Sequence, residues 1–444
     1  MQHSISRKKE HAIVIGASIG GLLTARVLSN HFRHVTILEK DIVSQNPESR
    51  KGQPHTRHLH GLLPSGLNTM LHYFPGLLDD LKNQGASVLD FAESMRWYTH
   101  GGYRKSFEIG MPAVAVSRPL LEQIIRNRVL QIRGIEMKDQ TSVKNLLATA
   151  DKSRIIGVKF ENKKIDELGV MYADLVVDVS GRGTKSFHWL GELGYETPDT
   201  TEVKVDVGYS TRIYERDASD PRGKKWIFNT PEAPKEYRGV GAFPIDNNRW
   251  IVSIAGWHRH SIAATEEDFE STIKKMPIGD IYDIIKTCRP LSELMHYKYA
   301  SSLRRHYEKL QRFPEGFIVL GDAACSFNPV YGQGMTSAAL QVKTLDELLQ
   351  KNTSGSTLWK QFFRRASKII DTPWSMAVGE DFRFPETKGP RPAGIKLLNF
   401  YVSKVHRATL KDKIVCETFL RVMSLLQPPS TLFHPKIVWR VLTA

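Results

Sequence analysis

Cysteine is scarce in this chain. Cys288, Cys325 and Cys416 are the three among 444 residues, far apart and without a C-x-x-C pair. That excludes a disulfide framework and a cysteine zinc site, and it fits a reducing, cytoplasmic setting. No run of 18 or more apolar residues occurs, so no stretch reads as a membrane span. Internal repeats and low-complexity tracts are missing, which excludes a solenoid or a long disordered linker. Negative charge is in deficit: 62 basic residues against 47 acidic ones leave +15. Such a surplus suits an anionic cofactor, an acidic carrier protein or an anionic membrane surface. Zinc-finger spacings and heptads behind a basic region are absent, so nucleic acid is not the expected partner. A leader peptide is not expected either. "RKKEHAIVIGASIGGLLTA" pairs a basic start with an apolar run, but Glu10, His11 and Arg26 interrupt it and no small-residue cleavage site follows.

What is there is an ordinary globular composition, 41% hydrophobic and 25% charged, long enough for one large or two ordinary domains. "HAIVIG" (11–16) is a short apolar run ended by glycine, the pattern of a buried parallel strand. Helix periodicity follows over 20–30, and "HVTILEK" (34–40) is a second buried strand, so the chain opens on a βαβ unit. Residues 44–66, rich in Pro, Gly and His, read as a loop crossing a site. "SRPLLEQIIRNRVLQI" (117–132) is a Ser-capped helix, and "YADLVVDVSG" (172–181) another buried strand. Over 200–260 the character changes to aromatic and β-branched alternation with a "DNN" turn at 246–248, the signature of an antiparallel sheet. "GFIVLGDAA" (316–324) returns to the buried-strand type before a helix from about Gly334. The expected fold is therefore α/β, α+β overall. A Rossmann-like part (1–84, 112–190 and 300–350) is interrupted by an antiparallel-sheet part (85–111 and 191–299), and a helical region (351–444) closes the chain.

The first turn carries a dinucleotide signal with one departure. Gly16 ends the strand, Gly20 and Gly21 open the helix, and Ser18 stands where the middle glycine of G-x-G-x-x-G is usual. A serine adds only a hydroxymethyl group there, and its hydroxyl can itself donate to a phosphate. The helix start behind it offers free N–H groups and about half a positive charge. Glu39, followed by Lys40, comes 23 residues after Gly16, close to the ~20-residue spacing of a ribose-binding carboxylate. The choice between NAD and FAD rests on "GDAACSFNPVYGQGM" (321–335). Asp322 at a strand end can accept from ribityl hydroxyls, which NAD lacks. Pro329, Gly332, Gly334 and Met335 form a side-chain-poor turn opening a helix, suited to the electron-rich edge of a flavin.

On these motifs, with "SRPLLE" (117–122), "ADLVVDVSGRGTKS" (173–186) and "PPSTLFHPKIVWRVL" (428–442), the chain resembles the FAD-dependent monooxygenases of the p-hydroxybenzoate hydroxylase superfamily. Within it, the closer likeness is to the squalene-epoxidase-like and geranylgeranyl-reductase-like bacterial branch. The resemblance implies that Arg118 contacts FAD, that the backbone of Val143 passes the adenine, and that Gly181 adjoins the cofactor. It implies two-electron reduction of FAD, addition of O2 at flavin C4a, and transfer of one oxygen atom to a lipophilic small molecule. The family's Asp-Gly motif reads Asp178-Val179-Ser180-Gly181 here, so the electron source is NAD(P)H or a separate flavin reductase. Two other flavin readings stay open: a reductase or oxidase/desaturase of an isoprenoid-like or polyketide substrate, and a non-catalytic flavin sensor. A halogenase is disfavoured by the absence of W-x-W-x-I-P.

"HTRHLH" (55–60) could ligate metal by composition, but no acidic partner lies nearby, and no metal is expected. A flavin-proximal loop is the expected role, with Arg57 and His58 as cofactor contacts and candidate catalytic donors. Tyr209, Phe243, Trp250 and Trp257 are the expected pocket-lining residues. "LLNFYVSKVHRATLKDK" (397–413) gathers Leu398, Tyr401, Val402 and Val405 on one helical face. That face suits packing on its own domain better than a peripheral membrane or carrier-protein contact.

Overall fold

The computed structural model describes residues 8–260 and 262–444. The basic start of the leader-like stretch, up to Arg7, lies outside the described residues. Its apolar run is the strand Lys9–Ile15, where Ala12, Ile13 and Val14 are wholly buried. This strand is the middle of a five-stranded parallel sheet in the order Phe317–Val319, Leu175–Asp178, Lys9–Ile15, Phe32–Leu38, Ile135–Lys138. The chain leaves and re-enters this sheet three times, one of them through the strand Ile135–Lys138, which the sequence pattern did not mark. The helices Ile19–Leu28, Arg118–Leu130 and Gly334–Gln350 pack together beside it, and an antiparallel sheet of Thr141–Ala148, Ile155–Asn162 and Glu167–Tyr172 meets the strand Leu175–Asp178. Burial on both sides explains the continuous apolar runs.

The second sheet has eight strands, in the order Cys325–Ser326, Met295–Arg305, Thr200–Glu215, Arg249–Trp257, Arg238–Ile245, Trp226–Asn229, Met95–Thr99, Gly102–Tyr103. All neighbours are antiparallel except Trp226–Asn229 with Met95–Thr99. The "DNN" hairpin forms as read, with Asn247 and Asn248 at positive φ. Its Asp246 is nearly fully buried and accepts from the Ser117 backbone N–H at 2.7 Å, fixing the entry to the helix that begins at Arg118. Two details depart from the expected partition. The strand Met295–Arg305 runs through the boundary at 299/300, and Cys325–Ser326 bonds to it rather than to the parallel sheet. The two sheets are thereby tied together directly behind the Gly321 turn.

The C-terminal helices Gly355–Asp381, Ile395–Ala408, Lys413–Met423 and Pro435–Thr443 close over the far strands, burying Val405, Val415, Phe419 and Leu420 with Trp97, Trp226 and Phe243. The helix Ile395–Ala408 packs on its own domain: Val405 is wholly buried, and Tyr401 stacks on Phe433 at 5.0 Å. Leu397 and Phe400 on the same helix stay 74% and 61% exposed. No described helix is long and apolar enough to cross a membrane.

Candidate functional site

Two helix starts come together beside the Gly321 turn. The helix Ile19–Leu28 begins at Ser18, the helix Gly334–Gln350 at Gln333, and neither has a side-chain cap. Neither has an acidic residue in its first turn, so the free N–H groups and the positive helix ends are left for another anion. The helices touch side by side at Gly20 and Ala338. The first turn tolerates nothing larger than glycine at two points. Gly16 has φ +103°, and a Cβ there would lie 2.8 Å from the Val179 carbonyl oxygen; a Cβ at Gly21 would lie 1.9 Å from the Gly16 carbonyl oxygen. Val179 lies over Gly20 and Gly321.

Around this turn the ion pairs are buried and continuous. Glu39 accepts from the backbone N–H of Ala17 at 2.8 Å and of Asp41 at 3.0 Å, and it pairs with Arg50 Nη1 at 2.9 Å. Arg50 Nη2 donates to Glu122 at 2.5 Å, and Arg118 Nη1 donates to the other Glu122 oxygen at 3.0 Å. Arg118 Nη2 donates to Ser18 Oγ at 2.9 Å, and that hydroxyl donates to Glu122 at 3.3 Å. Arg126 is buried and donates to the Ser44 carbonyl at 2.7 Å, with Glu122 as a nearby opposite charge. Three guanidinium groups thus face two carboxylates. Arg50 Nη1, although close to Glu39, makes no hydrogen bond of acceptable geometry. A net positive cluster with an unsatisfied buried donor, beside an uncapped helix start, fits a pyrophosphate. Lys40 points to solvent. Val143 lies on the strand Thr141–Ala148, whose Thr141 N–H donates to the Glu39 carbonyl at 2.7 Å.

At the second helix start, Asp322 is open to the cleft yet hemmed in by protein atoms. Desolvation pushes its carboxyl up to about 6, although Arg182 and Arg118 pull the other way. Asp178 binds the Ser180 N–H at 2.8 Å and the hydroxyls of Thr184 and Ser186, fixing the turn that carries Gly181. The turn Pro329–Tyr331 and Gly332 lead to Gly334 and Met335. Behind that turn stands a residue the sequence did not flag. Asp381, wholly buried, accepts from Asn328 Nδ2 at 2.8 Å, Tyr331 OH at 2.9 Å and Trp257 Nε1 at 3.3 Å. Burial pushes it up to about 7, and its second oxygen has no partner. It sits at the end of a 27-residue helix with no local motif to announce it. Arg50, inside a polar loop, was equally silent.

The opposite wall of the cleft holds the histidines. His58 Nδ1 meets Thr211 Oγ1 at 2.8 Å, and Thr211 Oγ1 meets Ser253 Oγ at 2.6 Å, all three buried. The His58 ring lies 5.8 Å from Tyr209 and 5.7 Å from Tyr297. The Tyr209 hydroxyl is buried without a partner. Desolvation, with neighbouring imidazoles and guanidinium groups, holds His55 at about 3 and His58 and His60 at about 4. Among the described residues no group of three or more His, Cys, Asp or Glu could hold a metal ion. A cavity of about 180 Å³ opens beside this loop, lined by Arg57, His58 and His60 together with Ile213, Phe243, Ile251 and Met295. Phe243 lines this cavity. Trp250 does not: it is wholly buried among Val252, Ile254, Phe269 and Ile273 on the other face of the sheet. Its neighbours Arg249 and Ile251 take the cavity side, because alternate residues of a strand point to opposite faces. Trp257 is also placed differently, stacked on Phe384 at 5.4 Å and outside this cavity.

No known protein-family profile matches the chain. Protein Rv3254 of Mycobacterium tuberculosis (strain ATCC 25618 / H37Rv) is 29% identical over 445 residues, covering 96% of this chain and 92% of that protein. Among solved structures, the flavin-dependent brominase Bmp2 superposes with a TM-score of 0.68 at 14% identity, covering 98% of both chains. A flavoprotein/dehydrogenase from Cytophaga hutchinsonii gives 0.68 at 17% identity, covering 97% of this chain and 96% of that one. PqsL from Pseudomonas aeruginosa, "a probable FAD-dependent monooxygenase", gives 0.61 at 15% identity, covering 85% and 99%. The fold is that of the FAD-binding flavoproteins. In this flavoprotein fold, halogenating and oxygenating relatives share one scaffold, so the chemistry has to be argued from the cleft.

Proposed function

We propose that the chain binds FAD in this cleft and acts as a monooxygenase, placing one oxygen atom from O2 on a lipophilic small molecule by hydroxylation or epoxidation. One observation carries the reading. Two helix starts without side-chain caps stand beside Asp322 and the Ser18 turn, and Arg118, which donates to Ser18 Oγ, also lines a cavity that Ile213, Phe243, Ile251 and Met295 share. Bound FAD supplies the two-electron redox chemistry and the activation of O2.

The chain's own residues bind, orient and exclude water. The helix start at Ile19, with Arg118 and Arg50, holds the pyrophosphate, and Glu39 accepts from ribose hydroxyls. Asp322 accepts from the ribityl chain, and the helix start at Gly334 stabilises negative charge on the flavin edge. Asp381 fixes the position of that helix start through Asn328 and Tyr331. In the tautomer whose Nδ1–H donates to Thr211, His58 presents a neutral Nε2 that can accept a hydrogen bond from a substrate hydroxyl and orient it. Ile213, Phe243, Ile251 and Met295 keep water from the reacting carbon.

The test starts with bound yellow cofactor. The FAD-loaded protein is then reduced anaerobically, with NADH, NADPH or a separate reductase as parallel arms, and mixed with 18O2 and candidate lipophilic substrates. One 18O atom in the product supports the proposal. A reduced or desaturated product with no 18O moves the assignment to a reductase or oxidase. A protein that stays colourless in excess FAD overturns both.

A further inference from the structure

The charges around the cavity do not balance. No aspartate or glutamate lines it, whereas Arg57, Arg118 and Arg249 all do. Arg118 is compensated by Glu122 at 3.0 Å, and Arg249 by its ion pair with Asp246. Arg57 has neither a carboxylate nor a hydrogen-bond acceptor among the described residues, and it is exposed to the cavity. His58 and His60 beside it are neutral at pH 7, because burial and nearby cations hold them at about 4. The single uncompensated charge on the lining is therefore the Arg57 guanidinium.

The backbone that carries this cation is held in place. Arg57 ends the short 3-10 turn Pro54–Arg57, in which the Thr56 N–H bonds to the Gln53 carbonyl at 3.0 Å. The His58 N–H bonds to the His55 carbonyl at 3.1 Å, and the His58 ring is locked to Thr211. Backbone and neighbour are thus fixed before any ligand arrives, which lowers the ordering cost of binding. Ile213, Phe243, Ile251 and Met295 line the same cavity as Arg57. A neutral lipophile would cover the apolar residues and leave the Arg57 guanidinium without a partner. An amphiphile with one anionic end satisfies both sides.

We propose that the cavity selects a lipophilic small molecule bearing an anionic group, a carboxylate or its acidic equivalent, seated on Arg57 with its apolar body against Phe243 and Ile251. The proposal rests on the cavity being the substrate site and narrows the substrate class of that site. The probe is 2-naphthoate, compared with its methyl ester, titrated by naphthalene fluorescence against the FAD-loaded protein without turnover. The expected result is that the acid binds at least about tenfold tighter than the ester, and that this preference shrinks between low and high salt. Arg57→Gln should abolish the preference and leave ester binding unchanged, and Arg57→Lys should keep part of it. The result that overturns the proposal is an ester bound as tightly as the acid, or a preference untouched by Arg57→Gln. Acid binding that appears only without FAD and is expelled by it also overturns the proposal, since the cation would then serve the cofactor. If the chain takes up no FAD at all, the oxygenase reading fails, and the acid-over-ester ratio on the chain as it stands still decides this one.

Discussion

The proposed cofactor wall is built around backbone N–H groups at two helix starts, within residues 16–21 and 321–335, with Glu39, Arg50, Arg118 and Asp322 beside them. The facing wall draws side chains from separated segments: the 54–60 turn, the strand ends near Ile213 and Met295, and the hairpin around Phe243 and Ile251. The first construction depends on a few glycines and is rigid. The second depends on which side of a sheet each residue faces. Substitutions should therefore fail in different ways on the two walls, and that contrast can be broken by experiment.

The largest effect belongs to the glycine turn. A Cβ at Gly16 meets the Val179 carbonyl oxygen at 2.8 Å on a backbone at φ +103°, and backbone cannot step aside as a flexible side chain can. Gly16→Val should raise the FAD dissociation constant at least about 100-fold. The readout is 450 nm absorbance per protein after desalting, with circular dichroism confirming the fold. A Gly16→Val protein that stays yellow would show that this turn does not carry the cofactor.

The next effect tests the placement of the aromatic residues on the facing wall. Trp250→Ala removes a wholly buried side chain from the core beneath the sheet and should cost about 3–5 kcal/mol in stability. Ligand affinity per folded molecule should not change. Phe243→Ala removes part of the cavity wall and of a stack on Trp226 at 4.9 Å. It should weaken ligand binding at a smaller stability cost, about 2–4 kcal/mol. Thermal melts paired with naphthoate titrations separate the two. If Trp250→Ala altered ligand affinity while Phe243→Ala altered only stability, the two faces would be exchanged.

This pair also shows where the sequence stopped being legible. Glu39 and Asp322 were readable because each ends a buried strand at a fixed distance from a glycine turn, so local spacing encodes their position. Trp250 was not readable, because both faces of the hairpin are apolar: one meets the cavity, the other Phe269 and Ile273. Alternation carries information only when one face is polar. Arg50 and Asp381 were invisible for a different reason. Arg50 reaches Glu122 across 72 residues and Asp381 reaches Asn328 across 53. Both act only through such distant partners, and no local pattern announces a contact of that range.

Acid should act on the two walls with opposite signs. His55, His58 and His60 on the ligand side, and His100 under the C-terminal helices, are held at about 3 to 4. In the unfolded chain they titrate near 6.5. Below pH 6.5 the unfolded state therefore binds more protons, so their contribution is full above that pH and is lost as pH falls. Asp322 and Asp381 on the cofactor side, raised to about 6 and about 7, stabilise the fold as pH falls from 7. Four imidazoles against two carboxyls leave a net loss, about 2 kcal/mol per pH unit near pH 5. Denaturant melts of FAD-free protein at pH 7, 6 and 5 check the sign. A melt that holds or strengthens from pH 6.5 to 5 would contradict the buried, neutral state of the histidine wall.

Ser18→Gly should do least, and it decides how far the cofactor wall relies on side chains. The Ser18 hydroxyl accepts from Arg118 at 2.9 Å and donates to Glu122 at 3.3 Å, so it is engaged within the protein. Its removal leaves Arg118 paired with Glu122 at 3.0 Å and leaves the backbone N–H groups of the helix start unchanged. One hydrogen bond to a charged group, partly replaced by water in the cleft, is worth about 1 kcal/mol. FAD affinity, read by fluorescence titration, should therefore fall by less than about tenfold. A loss as deep as that of Gly16→Val would mean that the hydroxyl itself grips the phosphate. The cofactor wall would then depend on a side chain just as the ligand wall depends on Arg57, and the contrast between the two constructions would not hold.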